Sequence, residues 1–336
     1  MSPRPRFLGT AQICRQFTTS AGRHAPFVPG GFTWGNPIKC RDSSQPRAIL
    51  FSYRHAFHAG NHADVLKHSV FVRVLDYFNR KDTPYWVVDT HAGAGIYDLT
   101  SEWAMQNGEF IDGLDRLLGA DDMPVMIRRY LEEVQHFNPD GVANFYPGSP
   151  WLALRLLRDR DRLRLFEMHP SEAQVLKHNL AQQDKAATRQ TLVYETDGFA
   201  GLRALLPPPT RRGVVIIDPS YESKADYRKT LLAMQEALRR FATGCYLVWY
   251  PLVQRREVTD MIRNLERLPN TQWLNVSLTV RKPSSDGFGL HGSGMFIVNP
   301  PWTLYGDLQA ALPWLERKLA QDGHACNALT QSTRPA

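Results

Sequence analysis

Apolar positions recur at helical spacing through residues 60–80, where Val65, Leu66, Val70, Phe71, Val74, Leu75 and Phe78 predict a buried helix face. Lys81-Asp82-Thr83-Pro84 stops that helix. Short apolar runs then follow at 85–88, 163–166, 192–194, 214–217, 245–249, 274–278 and 295–298. Helical patterns separate most of them, as at 150–158, 172–180 and 227–241. Buried strands alternating with helices predict a doubly wound α/β sheet with helices on both faces. A loop rather than a helix joins the last two runs (282–292), which predicts an antiparallel edge pair in a seven-stranded mixed sheet. Residues 98–147 fit no strand. Phe110, Ile111, Leu114, Leu117 and Leu118, then Val125, Met126, Tyr130, Leu131 and Val134, predict a small helical subdomain inserted there. The polar stretch 323–336 is expected to fray, leaving 50–322 as the folded domain.

Charge first suggests a nucleic-acid partner, and its distribution then weakens the suggestion. The net charge is +7, yet Arg4, Arg6, Arg15, Arg23, Lys39, Arg41 and Arg47 face only Asp42 before residue 50, leaving +1 for residues 51–336. A nucleic-acid surface on the folded part must be a local patch. Residues 1–49 lack the apolar core of a secretory signal; being Arg-rich and acid-poor, they are similar to an organelle transit peptide. A disordered extension, or translation from upstream of the true start, is the expectation preferred here. Cys14, Cys40, Cys245 and Cys326 form no CxxC pair, which argues against a zinc ribbon or a disulfide scaffold and predicts a reducing, cytoplasmic setting. No apolar run is long enough to predict a membrane span.

The first strand runs into Asp89-Thr90-His91-Ala92-Gly93-Ala94-Gly95. Glycines there let backbone approach a cofactor, although they also serve ordinary strand-to-helix turns. The later strands end in acids: Glu167, then Asp197-Gly198, then Asp218. Ligands of open α/β sheets sit beyond these carboxyl ends. A carboxylate at Glu167 suits ribose hydroxyls, and Asp197 suits an adenine amine; singly, each also reads as a helix N-cap. A dinucleotide fingerprint needs GxGxxG with its ribose acid about 20 residues on. Here Ile96-Tyr97-Asp98 follow Gly95 and Glu167 comes after the inserted helices, so S-adenosylmethionine fits better, and the outline becomes that of a Rossmann-like class I methyltransferase.

Asp218-Pro219-Ser220-Tyr221 closes an apolar strand with an acid, a stiff turn and an aromatic. An adenine N6 amine is a poor nucleophile because its lone pair is delocalised. The Asp218 carboxylate and the Pro219 carbonyl would accept its hydrogens and localise that pair, with Asp218 taking or relaying the released proton. Tyr221 would offer a face for a base taken out of its stack.

The stretch 51–68 is the densest in polar chemistry, with Tyr53, Arg54, His55, His58, His62, Asp64, Lys67 and His68. His58 and His62 have the spacing of a helical metal pair, but no Glu stands between them as in HExxH and Gly60 marks the helix start, so no metal is expected. This stretch, with the 89–95 loop, Tyr146-Pro147-Gly148-Ser149-Pro150 and the Asp218 turn, resembles the RlmJ family over residues 50–320. Those are bacterial S-adenosylmethionine-dependent methyltransferases acting on adenine N6 in 23S ribosomal RNA.

The resemblance implies that His68, His91, Ser149, Glu167, Asp197, Gly198 and Asp218 contact the cofactor, with Lys67 beside it. It implies that Asp218 is the proton acceptor and that Tyr53 closes over the target, with Lys67 and Tyr221 on the substrate side. It also implies 23S ribosomal RNA as partner, taken before subunit assembly, and a monomeric enzyme. In the family the chain starts just before the position of Ser52. Amino-methyltransferases of this kind carry Asp-Pro-Pro-Tyr; Ser220 replaces the second proline, which predicts a looser turn and a lower rate. A DNA adenine-N6 methyltransferase and a catalytically weak RNA-binding protein are the competing readings.

Overall fold

A computed structural model describes residues 55–183 and 185–332. Its centre is an eight-stranded sheet. The strands in that sheet are β1 (Trp86–Asp89), β4 (Arg162–Phe166), β5 (Thr191–Tyr194), β6 (Gly213–Ile217), β7 (Cys245–Leu252), β8 (Trp273–Thr279), β9 (Gly292–Val298) and β10 (Cys326–Gln331). Their order is β10-β8-β9-β7-β6-β1-β4-β5. The five strands from β7 to β5 pair in parallel, whereas β9 is antiparallel to both β7 and β8. Strand order reverses between β1 and β6, the place where open α/β sheets bind ligands.

The predicted pairing of the last two apolar runs is correct, but their place is not. β9 is inserted between β7 and β8, so this pair is not the edge. The edge is β10, within the segment expected to fray. Its residues alternate between half-buried and exposed, because only one face meets the protein, and the polar run Cys326–Gln331 still completes six backbone pairings with β8.

Side-chain alternation along the central strands separates two apolar layers. Val87, Leu163, Leu165, Val214, Ile216, Leu247 and Ile297 face one cluster, built with α1 (His62–Asn79), α3 (Val125–Gln135), α4 (Ser149–Leu156) and α10 (Leu304–Leu319). Val88, Val215, Ile217, Tyr246, Val248 and Phe296 face the other, with α7 (Gly198–Leu205), α8 (Lys224–Arg240) and α9 (Arg256–Glu266). α5 (Pro170–Ala181) and α6 (Lys185–Gln190) flank the β5 edge.

The insertion is mainly helical, with two differences from expectation. It is bracketed by a short antiparallel pair, β2 (Ile96–Asp98) and β3 (Phe145–Pro147), which the pattern did not suggest. Its first helix is α2 (Glu102–Asn107), capped by Ser101, while the apolar run 110–118 forms turns and one 3-10 turn, Leu114–Arg116. Gly60 and Gly113 account for this: Gly113 has backbone of Gly60 and Asn61 against its α-carbon, so the run is pinned to the start of α1 instead of extending as a helix.

That start positions the site. Gly60 turns at φ +77°, and the Asn61 side chain accepts from the backbone N–H groups of Ala63 and Asp64 at 2.9 Å, a full N-cap. α1 then runs buried beneath the sheet's carboxyl edge, carrying Asp64, Lys67 and His68 inward.

Candidate active site

A cavity of about 400 Å³ opens at the carboxyl ends of β1, β4, β5 and β6. Of the sequence-predicted residues it gathers Lys67, His68, His91, Ser149, Glu167, Asp197, Gly198 and Asp218 into one lining. Tyr53 lies outside the described residues.

The end of β1 anchors the floor. Asp89 is buried, and its carboxyl accepts from the Ser149 hydroxyl at 2.6 Å and the His91 N–H at 3.1 Å. Burial pushes its pKa up to about 7. Ser149 is therefore not the N-cap of α4; Gly148 is, and the Ser149 hydroxyl is spent on Asp89. Past Asp89 the chain turns through Gly93 at φ +61°, and the Gly93 N–H donates to Glu167 Oε2 at 2.8 Å. The other Glu167 oxygen accepts from the His169 N–H at 2.7 Å. Each oxygen keeps a second lone pair for hydroxyl donors. Burial also raises the Glu167 pKa.

Asp197 does cap α7, accepting from Phe199 and Ala200 through Oδ1, so the bland reading of this acid holds as well; Oδ2 has no partner among the described residues. Gly198 sits against the loop after β1: a Cβ there would lie 2.0 Å from the Thr90 carbonyl oxygen. Gly198→Ala is accordingly expected to cost about 1–3 kcal/mol by overpacking. Chemical denaturation checks it, and an unchanged midpoint would mean that the two backbones separate freely.

His68 and His91 are held neutral. Burial, then the neighbouring Lys67, puts the His68 pKa well below its ordinary value, and its Nδ1 meets the Tyr146 hydroxyl at 2.6 Å. Burial lowers the His91 pKa to about 4; its ring stands edge-on to Phe199 at 4.9 Å.

Four charged or ionisable groups run in series beside the cavity. His55 Nε2 meets Asp64 Oδ2 at 2.9 Å, Asp64 Oδ1 meets Lys67 Nζ at 2.8 Å, and Lys67 Nζ meets Asp218 Oδ2 at 2.6 Å. Burial opposes the Lys67 charge, but the carboxylates of Asp218 and Asp64 outweigh it and raise its pKa. Burial likewise opposes the Asp64 charge, and His55 and Lys67 hold its pKa well below the carboxylate range. Asp218 Oδ1 has no hydrogen-bond partner among the described residues. The sequence pattern assigns no role to Asp64 or to His55, although both belong to the polar stretch 51–68. An acid three residues before a helical lysine was the available signal.

Tyr221 departs from expectation. It is 2% exposed and does not line the cavity. The residue takes φ +53°, its hydroxyl donates to the Trp249 carbonyl at 2.8 Å, and its ring packs 4.6 Å from Tyr227. Arg255 Nη1 donates to the Tyr221 carbonyl at 3.0 Å. In this arrangement Tyr221 fixes the turn in a left-handed conformation unusual for an aromatic residue, and Ser220, which lines the cavity, stands where a stacking face was expected. His58 and His62 do not converge either: His58 pairs with Glu109 at 2.9 Å, and burial lowers the His62 pKa to about 4. Among the described residues no group of three His, Cys, Asp or Glu is arranged to hold a metal, and no helix is long and apolar enough to cross a membrane.

The family model described as "Ribosomal RNA large subunit methyltransferase D, RlmJ" matches residues 82–329. Ribosomal RNA large subunit methyltransferase J of Escherichia coli (strain K12) is 45% identical over 278 residues, 82% of this chain and 97% of that protein. The protein of the same name from Haemophilus influenzae is 42% identical, over 82% of this chain and 96% of its own. A crystal structure of a Legionella pneumophila protein superposes with a TM-score of 0.75 at 33% identity, covering 82% of this chain and 99% of that one. A Rossmann-like sheet with its acids gathered at one edge, and relatives matched along nearly their whole length, place the chain in one family: it belongs to the ribosomal RNA large subunit methyltransferase J (RlmJ) family.

Proposed function

We propose that this chain transfers a methyl group from S-adenosylmethionine to the N6 amine of an adenine in 23S ribosomal RNA, on free RNA before subunit assembly. The observation that carries the reading is the Lys67–Asp218 pair at the cavity, with the lysine buried and the carboxylate half-buried, which leaves Asp218 Oδ1 unpaired among the described residues. The donor set suits the cofactor. Glu167 and Asp197 offer acceptors for ribose and adenine, and Gly93 and Gly198 present backbone without a Cβ. The volume, about 400 Å³, falls within the range of small-molecule sites. When bound, the cofactor supplies an electrophilic sulfonium methyl.

The protein's own residues then do the rest. Lys67 holds Oδ2 of Asp218 and so fixes the carboxylate plane. Oδ1 accepts a hydrogen of the adenine amine, with the Pro219 carbonyl as second acceptor, and the amine lone pair is localised. Asp218 takes the proton as the N–C bond forms, and Lys67 stabilises the charge arrangement on either side of the transfer. Neutral His68 and His91 add no positive charge next to a cationic cofactor.

Mass mapping of N6-methyladenine in 23S ribosomal RNA, with and without the gene, is expected to show one modification that depends on it. Purified protein should incorporate a tritiated methyl group into that RNA and not into duplex DNA. Incorporation into DNA alone would overturn the RNA reading.

A further inference from the structure

The methylation chemistry leaves unused a surface on the sheet rim that carries the cavity. Register pairs Leu252 of β7 and Thr279 of β8 with Gly292 of β9, so the loop joining β8 to β9 emerges at the carboxyl end of β7, on the same rim as Asp218. Residues 281–289 of this loop are all exposed, and Phe288 at its tip is 79% exposed. The tip is shaped, not slack: Gly287 and Gly289 turn at φ +79° and +91°, and the Phe288 N–H donates to Asp286 Oδ1 at 2.9 Å. A large apolar ring held outward in this way gains nothing in the folded chain and suits an external π-face.

The loop is also tied to the reaction site by two consecutive residues. Gln254 Nε2 donates to the Ser284 carbonyl at 2.5 Å, and Arg255 Nη1 donates to the carbonyl of Tyr221, next to Ser220. Around it stand Arg255, Arg256, Arg281 and Lys282, all exposed and without an ion pair among the described residues. Among the nearby acids, Glu257 is neutralised by Lys224, whereas Asp286 and Asp322 accept from the backbone N–H groups of Phe288 and of Lys282 and His324 and keep their charge. Residues 51–336 carry a net charge of only +1, so four cations without an ion pair among the described residues, two of them also donating to backbone carbonyls, are a local concentration beside one exposed aromatic.

We propose that this loop, with 254–256, is the RNA grip: Phe288 stacks on an unpaired base flanking the target adenine, and Arg255, Arg256, Arg281 and Lys282 contact phosphates. The proposal rests on the RNA reading above. Aromatic stacking and phosphate contact are separable, because stacking tolerates salt and counterion release does not.

The test measures affinity for transcribed 23S ribosomal RNA, and for a fragment spanning the mapped adenine, as a function of NaCl concentration. Phe288→Ala is expected to weaken binding roughly 5- to 100-fold with the salt slope unchanged. Arg281→Gln/Lys282→Gln is expected to lower the slope by up to about 2. Both variants should bind S-adenosylhomocysteine as the parent does, which reports an intact fold. Parent-like affinity and slope in both variants, in a protein that methylates RNA, would overturn the grip and leave the methyltransferase standing. Failure of the parent itself to bind or methylate RNA would sink the underlying reading. Self-association that Phe288→Ala abolishes would assign the loop instead to a second copy of the chain.

Discussion

Asp218→Asn is expected to lower methyl transfer by about 10²- to 10⁴-fold, the usual size of a general-base contribution, while the protein stays folded. Asparagine keeps the shape and one acceptor oxygen but cannot take the proton. It also places an amide, which donates, in a plane fixed to accept: in the parent, Oδ2 receives the Lys67 ammonium at 2.6 Å and Oδ1 is unpaired among the described residues. Lys67 would keep its contact to Asp64 at 2.8 Å, so its charge is not stranded and the variant should remain stable. Single-turnover transfer of a tritiated methyl, read beside a melting curve, separates the two effects. Near-normal turnover would remove Asp218 from its role.

Asp64→Ala is expected to fail in the opposite sense, through the fold. Asp64 is 1% exposed and accepts from Lys67, His55 and the Gly60 N–H together. Truncation leaves the buried ammonium with one carboxylate instead of two and strips the α1 entry of its acceptor. Breaking a buried ion pair by removing one partner typically costs about 3–5 kcal/mol. A denaturant midpoint that falls at constant slope is the expected signature. The effect also has a pH sign. The folded Asp64 pKa lies below its unfolded value, so its stabilisation is fully present above about pH 4 and is lost as the pH falls through the folded value. The parent's advantage over Asp64→Asn should therefore shrink in acid; an advantage that persisted unchanged there would show that the carboxylate charge is not what matters.

The central sheet was legible because strands buried on both faces tend to be apolar, as β6 and β7 are, and because β4, which alternates Arg162 and Arg164 with Leu163 and Leu165, still closes on Leu165-Phe166. The strand-end acids were legible for a related reason, since a charge after such a run has to sit at a rim. β10 was not, because an edge strand with one exposed face needs no apolar run. The turns at 110–118 were misread because helical spacing of apolar residues does not reveal that Gly113 is clamped against backbone fifty residues earlier. Tyr221 was misplaced for a conformational reason: motif identity fixes the atoms available, and a left-handed φ decides which way they point. Asp64 escaped because its value comes from converging partners, His55 and Lys67, and convergence is a property of the folded helix entry.

The insertion of β9 between β7 and β8 has a consequence for synthesis. β7 is apolar along eight residues and emerges from the ribosome well before its neighbour β9, while β8, made between them, cannot pair with it in the native order. Until residue 298 is available, a nascent chain carries the far side of β7 as a bare apolar template. Any pause in translation within that interval prolongs an aggregation-prone intermediate, so the vulnerable moment of this protein lies in the last third of its own production, before the finished enzyme exists.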